Sequence, residues 1–497
     1  MTATREVPSI LRQRSIGVLL HPTSLPGPLE NGDIGHDAYR FIEFLQSCGI
    51  KVWQMLPLGP THEDRSPYQC LSAHAGNPAL ISLDWLVDHE WLDLEGIDRA
   101  PSDERYRTEC LLQARGRFDR QANPQWLGRL ETFKLKHVEW LADYALYMAL
   151  KHKYHGQPWY CWPAQLCHRA PQSMRESAEQ LADEIEQVIF EQFIFFTQWH
   201  ELRAYAAHHN VQLYGDMPIF VAHDSADVWA KRKNFLMNED GEMSYVAGVP
   251  PDAFSDTGQR WGNPLYDWTY MCSDDFEWWK SRFATQLELF DLIRIDHFRG
   301  LEACWMIPAN EETAMNGHWE KAPGEALLSA LFEQFPHLPL VAEDLGVITD
   351  EVIALKNAFS LPGMKVLQFA FDGNTENPHL PHQHHCNDLI YTGTHDNDTT
   401  LGWASDEHNY NRAFFEAYAA CDGASAEEKV LVMLRMAISS VSFLCVIPMQ
   451  DLLMLGSEAR MNVPSTLGDN WQWRFEWQQL KPETVESIKH YIYLYQR

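Results

Sequence analysis

Eight short apolar segments, most of them separated by stretches of helical period, constrain the fold of this chain more than any other feature. A helical stretch, HDAYRFIEFLQSCG, follows the first segment, and GEALLSALFEQF precedes the fifth. Strands that alternate with helices favour a parallel sheet, and eight such units favour a closed barrel. The segments are IGVLL from Ile16, VWQMLPL from Val52, VQLYGDMPIF from Val211, LIRID from Leu292, LPLVAED from Leu338, MKVLQFAF from Met364, DLIYTGT from Asp388 and VSFLCVIP from Val441.

Two intervals between these segments are too long for simple connections. Residues 66–200 contain long amphipathic stretches, which predict an inserted, mainly helical subdomain. Residues 222–286 contain GVPPDAFSDTGQRWGNP, whose glycines and prolines predict a loop-rich subdomain. Because long loops at a barrel rim usually cover an active site, we expect residues 222–286 to do so. The sequence therefore predicts one catalytic unit over residues 1–497, an α/β fold in which a (β/α)8 TIM barrel is interrupted by helical and irregular insertions.

Composition and charge exclude several classes of partner. The chain is 45% hydrophobic and 22% charged, as is usual for a globular protein. Its 39 basic and 69 acidic residues give a formal net charge of −30, which argues against nucleic acid or an anionic membrane as a partner. The N-terminal sequence lacks the apolar core of a signal peptide, and no apolar run is long enough to span a bilayer. We therefore expect a cytoplasmic protein.

The cysteines and histidines do not form a pattern typical of a metal site. Ten cysteines are scattered without a CxxC pair, so we expect neither a disulfide framework nor a structural zinc. The tract PHQHHC from Pro381 places three histidines close to a cysteine, but its spacing matches no common zinc pattern. A polar loop before a strand explains this tract better, and no metal is expected.

Aromatic residues are numerous, with 19 tryptophans, 18 tyrosines and 24 phenylalanines. Most of these rings are expected in the core, because aromatic side chains dominate core burial. The remainder predicts flat apolar surfaces of the kind on which sugar rings stack.

Charged residues recur where three of the apolar segments end. Arg294 and Asp296 alternate along the fourth segment, so both side chains should point to the same side of the strand. Glu343 ends the fifth segment, and His395 and Asp396 follow the seventh. In a parallel barrel these strand ends share one rim, where residues are more often catalytic than structural. An arginine beside a carboxylate keeps that carboxylate ionised, although a structural ion pair is the alternative for this pair.

Three carboxylates, an arginine and a histidine at one rim fit the hydrolysis or transfer of a glycosyl group. This chemistry needs one ionised carboxylate and one protonated carboxyl group. Asp296 beside Arg294 suits the ionised role. Glu343 suits the protonated role, because partial burial after an apolar run raises the pKa of a carboxyl group. Asp396 could then hold sugar hydroxyls and help to distort the ring.

A series of motifs resembles the 4-alpha-glucanotransferases called amylomaltases. The resemblance extends from His21 to about Arg474 and therefore covers nearly the whole chain. It implies a compact member of the α-amylase clan, with an interrupted (β/α)8 barrel and no C-terminal β-domain. The motifs, in chain order, are LHPTSLPG, SPYQCLSAHAGNP, GDMPIFV, GVPPDAFSDTGQRWGNP, RIDHFRG, AEDLGVIT, GMKVLQFAF, YTGTHDNDTT and PMQDLLMLGSEARMN.

The resemblance also implies roles for individual residues. Asp296 matches the nucleophile, Glu343 the general acid and base, and Asp396 the residue that stabilises the transition state. A structural role remains the alternative for two further positions, since Asp216 could cap the third strand and Tyr68 could pack an insertion. The implied substrate-binding positions are Arg294 and His395 beside the nucleophile, Asp216 as a further carboxylate of the donor site, Tyr68 as an aromatic sugar contact, and Gln259, Trp261 and Asn263 in the covering loop.

The chain departs from the family pattern at three places. Ala253 in PPDAFS stands where tyrosine is common, HEDR from His62 replaces a glycine-bearing segment, and His74 stands where phenylalanine is frequent. These departures bear on rate and acceptor preference and leave the reaction class unchanged.

The resemblance thus implies a 4-alpha-glucanotransferase that needs no cofactor. Such an enzyme moves a segment of a maltooligosaccharide or other α-1,4-glucan to the 4-hydroxyl group of an acceptor, by a retaining double displacement. An α-amylase-type hydrolase is the alternative, because the same three carboxylates serve both reactions. A catalytically silent glucan-binding protein is disfavoured, since it would have no need for all three.

Overall fold

Each of the eight apolar segments forms one strand of a single parallel sheet, which confirms the predicted barrel strands. The computed structural model describes residues 13–27, 29–97, 105–251, 255–406, 408–466 and 468–497. Four other strands form a second sheet. Within the described residues the strands are β1 (Ser15–Leu19), β2 (Val52–Gln54), β3 (Gln212–Met217), β4 (Tyr245–Val249), β5 (Gln259–Pro264), β6 (Leu292–Ile295), β7 (Ala303–Pro308), β8 (His318–Lys321), β9 (Leu340–Ala342), β10 (Gly363–Val366), β11 (Asp388–Tyr391) and β12 (Leu444–Pro448).

The parallel sheet is almost closed into a barrel. Its strand order is β10-β11-β12-β1-β2-β3-β6-β9, so β9 and β10 are its two edges. These edges meet at a seam, where the Ala342 backbone N–H donates to the carbonyl oxygen of Pro362 at 2.9 Å. The Asp344 carboxylate adds a second link, because it accepts the backbone N–H of Met364 at 2.7 Å and pairs with Lys356 Nζ at 2.5 Å. The fold is therefore the predicted α/β barrel.

The barrel strands are buried on both faces, which explains why their sequences read as continuous apolar runs. On β6, for example, Leu292 belongs to the cluster inside the barrel, whereas Ile293 and Ile295 pack against the surrounding helices. The inner cluster contains residues from all eight strands, among them Leu19, Val52, Tyr214, Leu292, Val341, Met364, Leu389 and Leu444.

Helices separate most of the barrel strands and continue after the last one, whereas β10 and β11 are joined by loops and two 3₁₀ helices. The described residues after β12 form helices and loops but no strand, so they contain no C-terminal β-domain. None of the helices in the described ranges is long and apolar enough to cross a membrane. They are α1 (His36–Cys48), α2 (Leu83–Asp88), α3 (Tyr106–Gln121), α4 (Pro124–Lys136), α5 (Leu141–Lys153), α6 (Ala164–Cys167), α7 (Pro171–Gln180), α8 (Ala182–His208), α9 (Ala226–Ala230), α10 (Trp268–Ser273), α11 (Glu277–Leu289), α12 (Gly324–Gln334), α13 (Asp350–Ala358), α14 (Thr400–Ser405), α15 (Arg412–Ala419), α16 (Ala426–Ser439), α17 (Met449–Leu452) and α18 (Pro482–Tyr495).

Two buried glutamines fix the long helix α8 to the chain that follows β2. Gln192 forms two hydrogen bonds with the backbone of Gly76, at 2.8 and 2.9 Å, and Gln198 forms two with Ser82, at 2.8 and 3.1 Å. Gly76 is required here, since a Cβ atom would lie 2.0 Å from the ring of Phe195. These bonds therefore tie the end of the helical interval 66–200 to its own beginning.

The interval 222–286 is more regular than its glycines and prolines suggest. It contains β4 and β5, which join β7 and β8 in an antiparallel sheet of order β5-β4-β7-β8. Strand β5 could not be recognised from its sequence, QRWGNP, because its side chains are mostly half exposed and do not alternate between apolar and polar. Ala253 and its neighbour Phe254 lie outside the described residues.

Candidate active site

A cleft of about 530 Å³ lies at the C-terminal ends of the barrel strands. It brings together side chains that are up to several hundred positions apart in the sequence. Every predicted site residue except Asp216 lines it, namely Tyr68, Gln259, Trp261, Asn263, Arg294, Asp296, Glu343, His395 and Asp396.

Arg294 joins two carboxylates beneath this cleft. The side chain is 5% exposed, and Nη1 lies 2.7 Å from both carboxylate oxygens of Asp216 and 2.9 Å from Asp296 Oδ1. Asp216 is the direct neighbour of Arg294 in the register between β3 and β6, and it also accepts the Tyr68 hydroxyl at 2.7 Å. Asp216 is thus a buried partner of Arg294 and Tyr68, placed behind the cleft wall.

Asp296 follows β6 and is held by its backbone N–H, which donates to Met217 O at 3.0 Å. Burial raises the pKa of its carboxyl group to about 6, although the positive charges of Arg294 and His395 act in the opposite direction. The arginine alone therefore does not determine its protonation state, contrary to the expectation from the sequence. The Asp296 side chain nevertheless remains 28% exposed to the cleft, so its charge is only partly desolvated.

Glu343 follows β9 and is more deeply enclosed, with 9% exposure. Its Oε2 atom accepts the backbone N–H of His297 at 2.7 Å, and Oε1 accepts that of Leu345 at 2.8 Å. His297 adopts a left-handed conformation with φ of 50° at this point. Burial raises the pKa of Glu343 to about 7, with a further increase from the Asp296 charge and a decrease from Arg294. The two carboxyl groups thus occupy different environments.

Asp396 lies in the loop after β11, and the pKa of its carboxyl group is lowered, in contrast to those of Asp296 and Glu343. Burial would raise the pKa of its carboxyl group, but His395 and a hydrogen bond from Asn462 lower it well below the usual range. Asn462 Nδ2 donates to Asp396 Oδ1 at 2.7 Å, and His395 Nε2 lies 3.4 Å from Oδ2. Arg460 supports the same residue by donating to its backbone carbonyl at 3.0 Å. Asp396 is therefore ionised.

The loop that carries His395 and Asp396 is anchored by a buried residue that the sequence did not single out. Asp451 is 1% exposed and accepts the hydroxyl groups of Thr392 and Thr400, each at 2.6 Å. It also accepts the Thr400 backbone N–H at 2.7 Å. Because these threonines flank the loop on both sides, Asp451 fixes its two ends. An acidic residue three positions after the end of β12 was the available signal.

Aromatic rings surround the carboxylates in two groups. Tyr68 and His395 stack with ring centroids 5.1 Å apart, and Trp471 lies 5.9 Å from Tyr68 and 6.0 Å from His395. In the second group, Trp261 packs edge-on against His297 at 4.9 Å. The sequence predicted Tyr68 and Trp261 but not Trp471, which follows a turn-rich segment without a strand or helix pattern.

Two polar residues of the predicted covering loop also hold the cleft wall together. Gln259 Oε1 accepts the indole N–H of Trp261 at 3.1 Å. Asn263 is 5% exposed and donates to the carbonyl oxygen of Val221 at 2.8 Å, so part of its amide serves the protein itself.

No cluster of three or more histidine, cysteine or acidic side chains suited to a metal ion occurs within the described ranges. In the tract after Pro381, His384 is buried and contacts Ser440 Oγ at 3.1 Å and the carbonyl oxygen of His379 at 2.9 Å. Both ring nitrogens of His384 are therefore occupied by hydrogen bonds within the protein.

Carboxylates with different environments, set among aromatic rings at the C-terminal rim of a parallel barrel, define the class of barrel enzymes that act on sugars. Comparisons with known proteins agree. The sequence profile of a family described as 4-alpha-glucanotransferase matches residues 20–480. The chain belongs to this family, whose members are glycosyltransferases acting on α-1,4-glucans.

Individual relatives support the same assignment over most of their lengths. A 4-alpha-glucanotransferase of Thermus thermophilus is 48% identical over 481 residues, covering 95% of this chain and 96% of the relative. A chloroplastic/amyloplastic 4-alpha-glucanotransferase of Solanum tuberosum is 41% identical, covering 93% and 82%. The amylomaltase from Streptococcus agalactiae in complex with acarbose superimposes with a TM-score of 0.92 at 34% identity, covering 98% of this chain and 100% of that one. These relatives give no support to the hydrolase alternative.

Proposed function

We propose that this 4-alpha-glucanotransferase works by a retaining double displacement in which Asp296 is the nucleophile and Glu343 the general acid and base. The observation that carries the proposal is the unequal setting of these two carboxyl groups within one cleft. Asp296 is partly exposed and paired with Arg294, whereas Glu343 is enclosed and has the higher pKa. Glycosyl transfer requires one group of each kind.

In the first step, a carboxylate oxygen of Asp296 attacks the anomeric carbon of a maltooligosaccharide. The bond from this carbon to the glycosidic oxygen breaks, and the Glu343 proton passes to the departing 4-oxygen. The products are a shortened glucan with a free 4-hydroxyl group and a β-glycosyl ester on Asp296.

In the second step, the 4-hydroxyl group of an acceptor glucan or of glucose attacks the same carbon. The Glu343 carboxylate takes the hydroxyl proton, and the ester bond to Asp296 breaks. Two inversions leave the α configuration unchanged, and both carboxyl groups return to their starting states.

Asp396 stabilises the positive charge that develops on the sugar ring between the two steps. Its low pKa keeps it ionised at neutral pH, and its bonds to Asn462 and His395 fix its position. We assign Arg294, Tyr68 and His395 to the donor glucose, because they line the cleft around Asp296. Asp216 serves the same donor site from behind the cleft wall, through its bonds to Arg294 and Tyr68.

The covering loop belongs to the proposal as well. Gln259, Trp261 and Asn263 line the cleft, and Trp261 packs on His297, whose backbone holds Glu343. We propose that residues 222–286 form the cover over the acceptor path and that residues 66–200 form a helical subdomain of the same catalytic unit. A cytoplasmic location is proposed on the grounds that all ten cysteines are free thiols, as expected in a reducing compartment.

Incubation with maltotriose alone tests the proposed function. A bound acceptor presents its hydroxyl group at high effective concentration, whereas water must enter past the cover, so transfer should exceed hydrolysis. Separation of the products should give glucose and a ladder of chains longer than maltotriose. Added glucose should compete for the ester and shift this distribution to shorter chains.

The same experiment distinguishes a hydrolase. Products that are all shorter than maltotriose, accompanied by a matching rise in reducing ends, would overturn the proposal. A chain that binds maltotriose without changing it would instead be a silent glucan-binding protein.

A further inference from the structure

Arg299 has unused hydrogen-bonding capacity at the wall of the cleft. It lies in a short 3₁₀ helix, Phe298–Leu301, and is only 7% exposed, yet it lines the cleft. Among the described residues, its Nε and Nη1 atoms are buried and have no hydrogen-bond partner. A buried guanidinium with idle donors is unfavourable. A ligand in the cleft that offers oxygen acceptors would satisfy it.

Trp319 holds the guanidinium in place and is itself available to a ligand. The guanidinium carbon of Arg299 lies 3.7 Å from the centroid of the Trp319 ring, within the range of a cation–π contact. Trp319 also lines the cleft and remains 36% exposed. Its strand, β8, is the edge of the antiparallel sheet, and all four of its residues are exposed. An indole at this position fills no core.

The position of this indole is nevertheless fixed. Trp305 is its register partner on β7, and the two rings lie 5.1 Å apart at an interplanar angle of 65°. Trp305 is in turn anchored by its indole N–H, which donates to Ala314 O at 2.8 Å. The end of β8 is tied to the Arg299 segment, because Ala322 N–H donates to Glu302 O at 2.9 Å. Arg299 and Trp319 therefore form a preorganised surface.

The chain path indicates which part of a glucan would reach this surface. Arg299 follows His297 by two residues, and the His297 backbone N–H binds Glu343. In the proposed mechanism, Glu343 faces the leaving group and then the acceptor, so a surface on this side meets the acceptor. We propose that Arg299 and Trp319 form a distal acceptor subsite, which binds the glucose units of an α-1,4-glucan acceptor beyond the one that attacks the ester.

This inference rests on the proposed function and adds a determinant of acceptor length to it. The donors of Arg299 would bind sugar hydroxyl groups, while the exposed part of the Trp319 ring would pack against a sugar. Glucose is too short to occupy the reacting position and this surface together, whereas maltotriose can occupy both.

Transfer from α-maltotriosyl fluoride to glucose, maltose or maltotriose tests the subsite. The fluoride donor loads Asp296 without a sugar leaving group, so the acceptor can be varied independently. Trp319→Ala and Arg299→Gln should raise the acceptor KM for maltotriose about five- to tenfold, with less than about a twofold change for glucose, as expected for loss of one or two contacts made only by the longer acceptor. Trp319→Tyr should recover most of the loss.

Tyr245→Ala provides the matched control. Tyr245 is an aromatic residue of similar exposure, 37%, on β4 of the same sheet, and it packs edge-on against His318 at 5.5 Å. It is not among the residues that line the cleft. This variant should keep the wild-type ratio of maltotriose KM to glucose KM.

Two results would overturn the subsite: an unchanged KM ratio in both variants, or an equal rise for all three acceptors. Failure of the wild-type protein to release fluoride would refute the proposed chemistry itself. The two failures are therefore distinguishable.

Discussion

The two sides of the cleft are built on different principles. The proposed donor-side cluster comprises Tyr68, Asp216, Arg294 and His395 and is held together by short hydrogen bonds and a ring contact. Asp216, Arg294 and His395 are buried, whereas Tyr68 is half-buried. The acceptor-side wall, which comprises Trp261, Arg299 and Trp319, combines the covering loop and the antiparallel sheet with ring contacts. A network of charged hydrogen bonds holds its side chains in one geometry, whereas the face of an aromatic ring can pack against a sugar in several orientations. In the proposed mechanism, the first side must position one glucose for chemistry, and the second must accept chains of various lengths.

Replacement of Asp296, the proposed nucleophile, should give the largest effect. We expect Asp296→Asn to lower kcat by several orders of magnitude, because the amide cannot form the glycosyl ester. The near-isosteric change should leave glucan binding in place, which fluorescence titration with maltopentaose would measure. Thermal unfolding serves as the control for folding. A variant that retains more than about a tenth of wild-type kcat would place the nucleophile elsewhere.

Weakening of the donor-side cluster should have the next largest effect. Asp216→Asn leaves the buried Arg294 with less compensating charge, so the free energy of unfolding should fall by about 3 kcal/mol. Misplacement of Asp296 should lower kcat by about 100-fold.

The matched control for this variant is Asp291→Asn, at the opposite end of β6. Asp291 pairs with Arg203 at 2.8 Å, so its loss should lower stability while leaving kcat within about twofold of wild type. Equal losses of kcat in the two variants would mean that Asp216 acts through folding alone. Denaturant unfolding and initial-rate measurements provide the two quantities.

The pH dependence should report the unequal setting of the two carboxyl groups. The proposed mechanism requires ionised Asp296, so kcat/KM should rise as the pH increases through about 6. It also requires protonated Glu343, so kcat/KM should fall as the pH increases through about 7. The result is a bell-shaped profile with its maximum between these values, both of which belong to the interacting pair.

A fluoride donor separates the two limbs of this profile. Fluoride leaves without a proton from the enzyme, so ester formation should lose the alkaline limb in the wild-type protein and in Glu343→Gln alike, and both should keep the acidic limb. Persistence of both limbs in this variant would assign the alkaline limb to a group other than Glu343.

Change in the covering loop should give the smallest effect. Ala253→Tyr adds a ring where the family usually has one, worth about 0.5 to 1.5 kcal/mol if values for aromatic pairs apply to sugars. We expect acceptor KM and the hydrolysed fraction to fall by a factor of a few, with little change in ester formation. No change in either quantity would mean that the missing ring has no bearing on function here.

The sequence predicts the barrel side of the molecule better than the acceptor side, for a physical reason. Barrel strands are buried on both faces, so they appear as apolar runs whose ends mark the rim, and Arg294, Asp296, Glu343 and Asp396 could be placed there directly. Strand β8 reads HWEK with every residue exposed, so neither burial nor alternation marks it.

Residues supported by loops were also hidden from sequence reasoning. Asn462 and Trp471 reach the cleft from segments without periodicity, and the contacts that give them meaning are with residues far away in the sequence. The burial that raises the pKa of Asp296 is likewise a property of the assembled cleft and not of the pair Arg294 and Asp296.

The two neighbouring acidic residues of the AED motif have different roles: Asp344 helps to close the barrel, whereas Glu343 faces the cleft. Between β9 and β10 the ring of strands is closed by the backbone hydrogen bond from Ala342 to Pro362 and by the carboxylate of Asp344, the residue next to Glu343. The rigidity of the barrel between β9 and β10 therefore depends on the Asp344 side chain and its partner Lys356. Since Asp344 and Lys356 are only 6% and 14% exposed, dissolved salt screens their attraction weakly. The rigidity of the barrel next to Glu343, the proposed proton donor, should therefore be largely insensitive to ionic strength.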